Sequence, residues 1–169
     1  MSVTSFGSRR FNLSRGFTLV ELLVVIGIIG VLATLVLVQL GGARARARDA
    51  KRISDVSQLR SAVELYGEDH QNTYPTAMSD AMLGSYMSNG VVPRDPVTQA
   101  VYGYAYTPAV SPTRYHVWAE LEQSGGTKPS ALNTDADLNS TGWSGTPIVG
   151  ATEACTTAAN DCIYDHGQN

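Results

Sequence analysis

Three groups of residues in this chain have types and spacings that could do chemistry. The first is a single carboxylate, Glu21, at the start of an apolar run in which Thr34 is the only polar side chain between Leu22 and Val38. An unpaired charge at the centre of a lipid bilayer costs about 2.5–3.5 kcal/mol on insertion scales, and less toward the edge. Glu21 therefore either pairs with a positive charge or reaches back to water. The second group is Asn133, Asp135 and Asp137, with Asn139 following. Oxygen ligands at every second residue can converge on a hard cation such as calcium if the backbone curls. No glycine stands at Ser140 and no Glu closes the set, so this is not an EF-hand, and a solvated Asx-rich turn is the competing reading. The third group is Cys155 and Cys162, the only cysteines. Outside the cytoplasm they can close a disulfide worth about 2.5 kcal/mol on the chain-entropy account. With nearby His166 they fall short of the four ligands of a zinc site, although Asp161 and Asp165 are adjacent.

Catalysis is poorly served. His-Glu-x-x-His, Gly-x-Ser-x-Gly and Walker patterns are absent, and Gly142-Trp-Ser-Gly-Thr misses the serine-hydrolase elbow at its last residue. The three histidines, at 70, 116 and 166, are dispersed, and His116 reads as an outward-facing polar strand residue. The chain is expected not to be an enzyme and to require no cofactor. Charge narrows the partners: residues 53–169 carry four bases against thirteen acids, which argues against a nucleic-acid-binding head. Arg44, Arg46, Arg48, Lys51 and Arg52 form a basic cluster, read as a stripe attracted to anionic lipid rather than as an ordinary solvated face.

The elements that must position these groups follow from periodicity. As a helix, residues 17–40 span about 36 Å, enough to cross a hydrocarbon core of roughly 30 Å. A signal peptide would have a shorter apolar region closed by small residues, and Gly41-Gly42-Ala43 is a weak substitute for such a site. Residues 1–16 are polar and basic with no acid, which favours a cytoplasmic leader, although the five bases after the helix blur the charge rule. Ile53, Val56, Leu59, Ala62, Val63 and Tyr66 recur at three- and four-residue spacing and predict a core-facing helical stripe over 41–70, with Asp55, Arg60, Glu64 and Glu68 mostly elsewhere. Gly41-Gly42 is a candidate bend. Met78, Ala81, Met82 and Tyr86 predict a short second helix, and Pro93 and Pro96 break the chain after it. Residues 100–106 and 113–122 predict an antiparallel hairpin, with Tyr102, Tyr104, Tyr106 and Tyr115, Val117, Ala119, Leu121 as its two inward rows. Residues 123–145 read as loop, and the tail as coreless except for its cysteines.

Arg15-Gly-Phe-Thr-Leu-Val-Glu21, followed by Leu-Leu-Val-Val-Ile-Gly-Ile-Ile-Gly, resembles the leader junction of type IV prepilins and type II secretion pseudopilins. The resemblance implies an α+β, pilin-like fold: a long N-terminal helix, membrane-embedded in its first half, packed against a small antiparallel β-sheet head that occupies residues 71–169. It implies cleavage after Gly16 by a membrane prepilin peptidase, N-methylation of Phe17, and an assembly role for Glu21, facing the amino terminus of a neighbouring subunit. The implied partners are that peptidase, copies of the chain and other pilins or pseudopilins in a filament, an inner-membrane assembly platform and membrane lipid. The implied location is the inner membrane, with the head outside. Residues 55–66 with Asn72-Thr-Tyr-Pro75 also resemble the major pseudopilin helix and its Tyr-Pro loop, and Thr134 to Trp143 resembles that group's calcium loop, covering Asp135 and Asp137 with Asn133 beside them. The disulfide-closed tail is similar to that of some type IV pilins. Two departures stand out: no proline occurs near Val38, and Val97-Thr98 stand where major pseudopilins have Trp-Gly. The alternative to a filament subunit is a monomeric, singly anchored calcium-binding or adhesive module outside the membrane.

Overall fold

The structure, a computed structural model, describes residues 16–122, 129–151, 155 and 162–168; most of the predicted leader lies outside them. Helix α1 runs Leu19–Asp69 and helix α2 Asp80–Leu83. Single 3-10 turns occupy Gly84–Tyr86 and Ser130–Asn133. Strands β1 (Gly103–Thr107), β2 (Arg114–Glu120), β3 (Ser144–Gly145) and β4 (Ile163–Gln168) form one antiparallel sheet in the order β3-β1-β2-β4. The chain divides into two compact units between Gly41 and Gly42.

In the first unit the residues from Gly16 to Leu37 and from Gln39 to Gly41 are exposed, and most of their side chains are those of the apolar run. A helix apolar on all sides has no use for water, and this one is long and apolar enough to cross a membrane. Thr34, its polar exception, donates its hydroxyl to the Val31 carbonyl at 2.7 Å, so no hydroxyl is left unpaired.

The second unit has a packed core. Val56, Leu59, Ala62 and Val63 of α1 are buried with Tyr102, Tyr104, Tyr115, Val117, Ala119, Leu121 and Tyr164, while Ile53 and Tyr66 flank them half-buried. The predicted stripe and the predicted hairpin are both present, with Gly103 opposite Trp118 and Thr107 opposite Arg114. The tyrosines bring hydroxyls into this core, and each finds a partner: Tyr102 donates to Asp55 at 2.7 Å, Tyr104 to the Pro75 carbonyl at 2.8 Å and Tyr115 to Glu64 at 2.9 Å. Asp55, expected off the core face, is thus 4% exposed, because it takes the Tyr102 hydroxyl and pairs with Lys51.

Two expectations fail for a common reason. The tail is not coreless: Ile163–Gln168 pairs along β2 from Glu120 to Tyr115, and Ile163 and Tyr164 are buried. His116 is not outward but fully buried. The sheet is covered on both faces, by α1 on one and on the other by the loop that includes Leu138, Ser140 and Ile148. Trp118 lies across Gly103, where any Cβ would collide with the indole, so glycine is required at that strand position.

The basic cluster also departs from its lipid-facing reading. Arg52 is 4% exposed and reaches three carboxylates: Nε to Asp95 at 2.6 Å, Nη1 to Asp49 at 2.9 Å and Nη2 to Glu122 at 2.5 Å. Arg48 pairs bidentately with Glu122, and Asp49 accepts the Glu122 N–H at 2.8 Å. One guanidinium therefore joins α1, the connector before β1 and the end of β2. Arg44 and Arg46 remain exposed.

Burial works against a charged Asp95, but the Arg52 guanidinium and the N–H groups of Thr98 and Val97 outweigh it and hold its carboxyl well below the usual range. Hydrogen bonds from Arg48, set against burial, leave Glu122 lowered as well. Groups with depressed folded-state values contribute stability above their unfolded values and lose it as pH falls through the folded ones. The midpoint of head unfolding in the detergent-solubilised full chain is accordingly expected to fall once pH drops below about 4. Arg52→Met, which takes the shared cation from three carboxylates, is expected to cost about 3–5 kcal/mol at neutral pH and to flatten that acid limb. An unchanged denaturation midpoint in Arg52→Met would show that the network does not stabilise the head.

Candidate functional site

The residues of the N-terminal junction lie at the very start of α1. Gly16 and Phe17 are exposed, Phe17 at 83%. Thr18 is the residue before the first helical position, and Glu21 sits three residues on. The Glu21 N–H donates to Thr18 Oγ1 at 3.2 Å, while the Thr18 N–H and hydroxyl donate to Glu21 Oε2, each at 3.3 Å. This reciprocal arrangement is a capping box, which satisfies two of the four N–H groups that every helix start leaves unpaired. Its Thr-x-x-Glu spacing is a capping signature present in the sequence itself, at the head of the apolar run. Glu21 also lies near the positive end of the helix dipole, and its Oε1 has no hydrogen-bond partner among the described residues.

The acidic loop converges differently from expectation. Asp135, Asp137 and Asp165 each offer a carboxylate oxygen, all within 4.8 Å of one another. Asn133 ends a 3-10 turn and is exposed. The third acid comes from β4, in sequence far from the loop, and Cys162 sits just ahead of that strand. Asp165 is fully buried and held by four groups: Asp137 N–H at 3.1 Å, Leu138 N–H at 2.8 Å, His116 Nε2 at 2.7 Å, and its own N–H to Asp135 Oδ2 at 3.3 Å. A Cβ at Gly150 would collide with its carboxylate. Asp135 Oδ1 is buried without a hydrogen-bond partner. Burial, then the adjacent charges of Asp165 and Asp137, push the Asp135 carboxyl up to about 7. An oxygen-only donor set with an orphaned buried oxygen fits a hard cation and does not fit zinc.

Beside this cluster, Ser140 Oγ, His116 and Asp165 stand in line, with Ser140 Oγ 2.8 Å from His116 Nδ1. A nucleophilic triad would need an accessible serine. Ser140 is fully buried, and its Oγ accepts the Ile148 N–H at 2.8 Å and lies 3.0 Å from the Ile148 carbonyl. The row is a pin that fastens the loop to the sheet. Cys155 and Cys162 are joined in a disulfide, and both are buried; Asp161 lies outside the described residues.

A helix apolar and exposed in its first part, and packed on a small antiparallel sheet in its last, defines an α+β, pilin-like protein. Residues 11–37 match the family described as the prokaryotic N-terminal methylation motif. The chain is 39% identical over 90 residues to the type II secretion system core protein G of Dickeya chrysanthemi, covering 53% of this chain and 57% of that protein. It is 46% identical over 68 residues to the protein of the same name from Escherichia coli K12, covering 40% and 46%. It is 32% identical over 91 residues to the type IV major fimbrial protein FimA of Dichelobacter nodosus, covering 50% and 58%. The chain thus spans about half the length of the curated relatives it matches. No solved structure matches it. Over these residues the chain is similar to pilins and pseudopilins, and the fold is pilin-like.

Ser140→Ala would leave the buried His116 Nδ1 and the Ile148 N–H without their partner, an expected loss of about 1–3 kcal/mol. Thermal unfolding of the full chain followed by near-UV circular dichroism measures it. A loss within a few tenths would mean that the pin carries no stability.

Proposed function

We propose that this chain is the structural subunit of a type IV pilus or a type II secretion-like pseudopilus, made with a leader that is removed after Gly16. In this reading Phe17 becomes the methylated amino terminus, and the apolar part of α1 holds the subunit in the inner membrane with the head outside. Membrane prepilin peptidase and an inner-membrane assembly platform are its processing and assembly partners. Copies of the chain and other pilins or pseudopilins then replace lipid around the helix. The observation that carries the reading is the methylation-motif match over residues 11–37, with its one acid placed at the helix start and, among the described residues, nothing apolar covering the helix behind it. Relatives named for a secretion system and for a fimbria support a filament over the monomeric anchor.

Glu21 follows from the same physics. Inside its own chain it satisfies the helix start with one oxygen and keeps the other free. A neighbour's charged amino terminus can take that oxygen, and in a low-dielectric filament interior an opposite charge at short range is worth far more than in water. Glu21→Ala is expected to leave the protein inserted in the membrane while filament yield falls at least tenfold, read by shearing filaments from cells. Intact mass of the membrane protein should show loss of residues 1–16 and gain of one methyl group. A retained leader would favour the monomeric anchor, and normal filament yield from Glu21→Ala would remove its assembly role.

We further propose that Asp135, Asp137 and Asp165 hold a calcium ion, with backbone carbonyls or water completing its shell. Bound calcium would draw the three carboxylates together and give Asp135 Oδ1 the partner it lacks. At a concentration a hundredfold above its dissociation constant, calcium is expected to stabilise the head by about 2.7 kcal/mol. Chelator should reverse the gain, and Asp135→Asn should abolish it while leaving the calcium-free head folded. Equal melting temperatures with calcium and with chelator would refute the site.

A further inference from the structure

We infer that Asn139 is an acceptor for an N-linked glycan. Asn139-Ser140-Thr141 matches Asn-x-Ser/Thr, the acceptor pattern of glycan transfer in exported loops. The pattern occurs once more, at Asn12-Leu-Ser14, within the leader and with Arg10 two residues before it. At Asn139 the residue two before is Asp137, a carboxylate that a basic side chain of a transferase can hold.

The fold displays this segment selectively. Leu138 O accepts the Gly150 N–H at 2.6 Å, Ser140 N–H donates to the Ile148 carbonyl at 2.9 Å, and Asn139 bridges antiparallel to Val149. Such pairing alternates side chains between two sides. Leu138 is half-buried and Ser140 fully buried, while Asp137, Asn139 and Thr141 are all exposed. The acid, the acceptor amide and the hydroxyl residue that a transferase must read therefore project together. The pin through Ser140, His116 and Asp165 keeps the intervening residue turned in. Asn139 Oδ1 accepts the Thr141 N–H at 3.0 Å, which orients the carboxamide, and its Nδ2 has no hydrogen-bond partner among the described residues.

The donor is a sugar carried on an isoprenyl diphosphate. Nδ2 attacks the anomeric carbon, a C–N bond forms as the C–O bond to the diphosphate breaks, the Nδ2 proton passes to a carboxylate of the transferase, and the isoprenyl diphosphate leaves. No oxidant or reductant is needed. The inference rests on the proposed placement of the head outside the membrane, where exported loops meet such a donor.

No Lys or Arg follows Lys128, and the Lys128–Pro129 bond resists trypsin, so cleavage after Arg114 releases residues 115–169 as one peptide, to be weighed after reduction from protein purified from native membranes. The expected result is the peptide carrying the mass of one or more sugars, lost entirely in Asn139→Gln and Thr141→Val and kept in Thr141→Ser. Thr141 variants leave all three acids of the cation cluster intact, which separates this role from metal binding. A bare peptide in protein that has lost residues 1–16 overturns the glycan while sparing the filament reading. A bare peptide with the leader retained counts against both. Sugar persisting in Asn139→Gln would place it on another residue and overturn the assignment.

Discussion

One helix, α1, must satisfy two solvents. Over its first part it is exposed among the described residues, so in lipid it must be apolar around its whole circumference, with its polar atoms paired within the helix. Over its last part it needs apolar residues only along one stripe, and the remaining faces can carry charge. The change between these regimes falls near Gly41 and Gly42, after which bases and acids enter at once. Thr34 meets the first condition by a bond to a carbonyl three residues back, and Glu21 meets it with one oxygen only, bonded to the helix's own start.

The head solves the opposite problem, a small core beside many charges. Its sheet faces α1 with tyrosines beside Val117, Ala119 and Leu121, and the tyrosine hydroxyls reach Asp55, Glu64 and the Pro75 carbonyl. Carboxylates on the helix can then approach the core without being stranded, since each has a donor. Arg52 extends this logic, because its planar fork gives one cation geometry enough for Asp49, Asp95 and Glu122 together. Pairing of that kind is costly to half-remove, and it fixes three segments against one another.

The second face of the sheet is built on the same economy. A loop with few large apolar side chains covers it, fastened by Ser140, His116 and Asp165 and by backbone bonds from Ala136 to Gly150. Asp165 is shared between that fastening and the acidic cluster. The anchoring of the loop and the geometry of the cluster therefore meet in one carboxylate, held on one side by imidazole and backbone N–H groups and facing Asp135 and Asp137 on the other.

What the sequence determined alone was whatever depends on neighbours in the chain. The membrane-length apolar run, the core stripe from Ile53 to Tyr66 and the hairpin from Tyr102 to Leu121 are local periodicities, and each was legible. The tertiary structure decided what depends on distant residues meeting. Ile163–Gln168 carries an acid and a histidine, and only its pairing along β2 makes it a buried strand. His116 alternates with core residues and so reads as outward until a second layer covers it. Arg52 and its neighbours look like a surface stripe until Asp95 and Glu122 arrive from 43 and about 70 residues away. Asp165 joins Asp135 and Asp137 for the same reason: a cluster is a point in space, and spacing along the chain records only those members that share one turn.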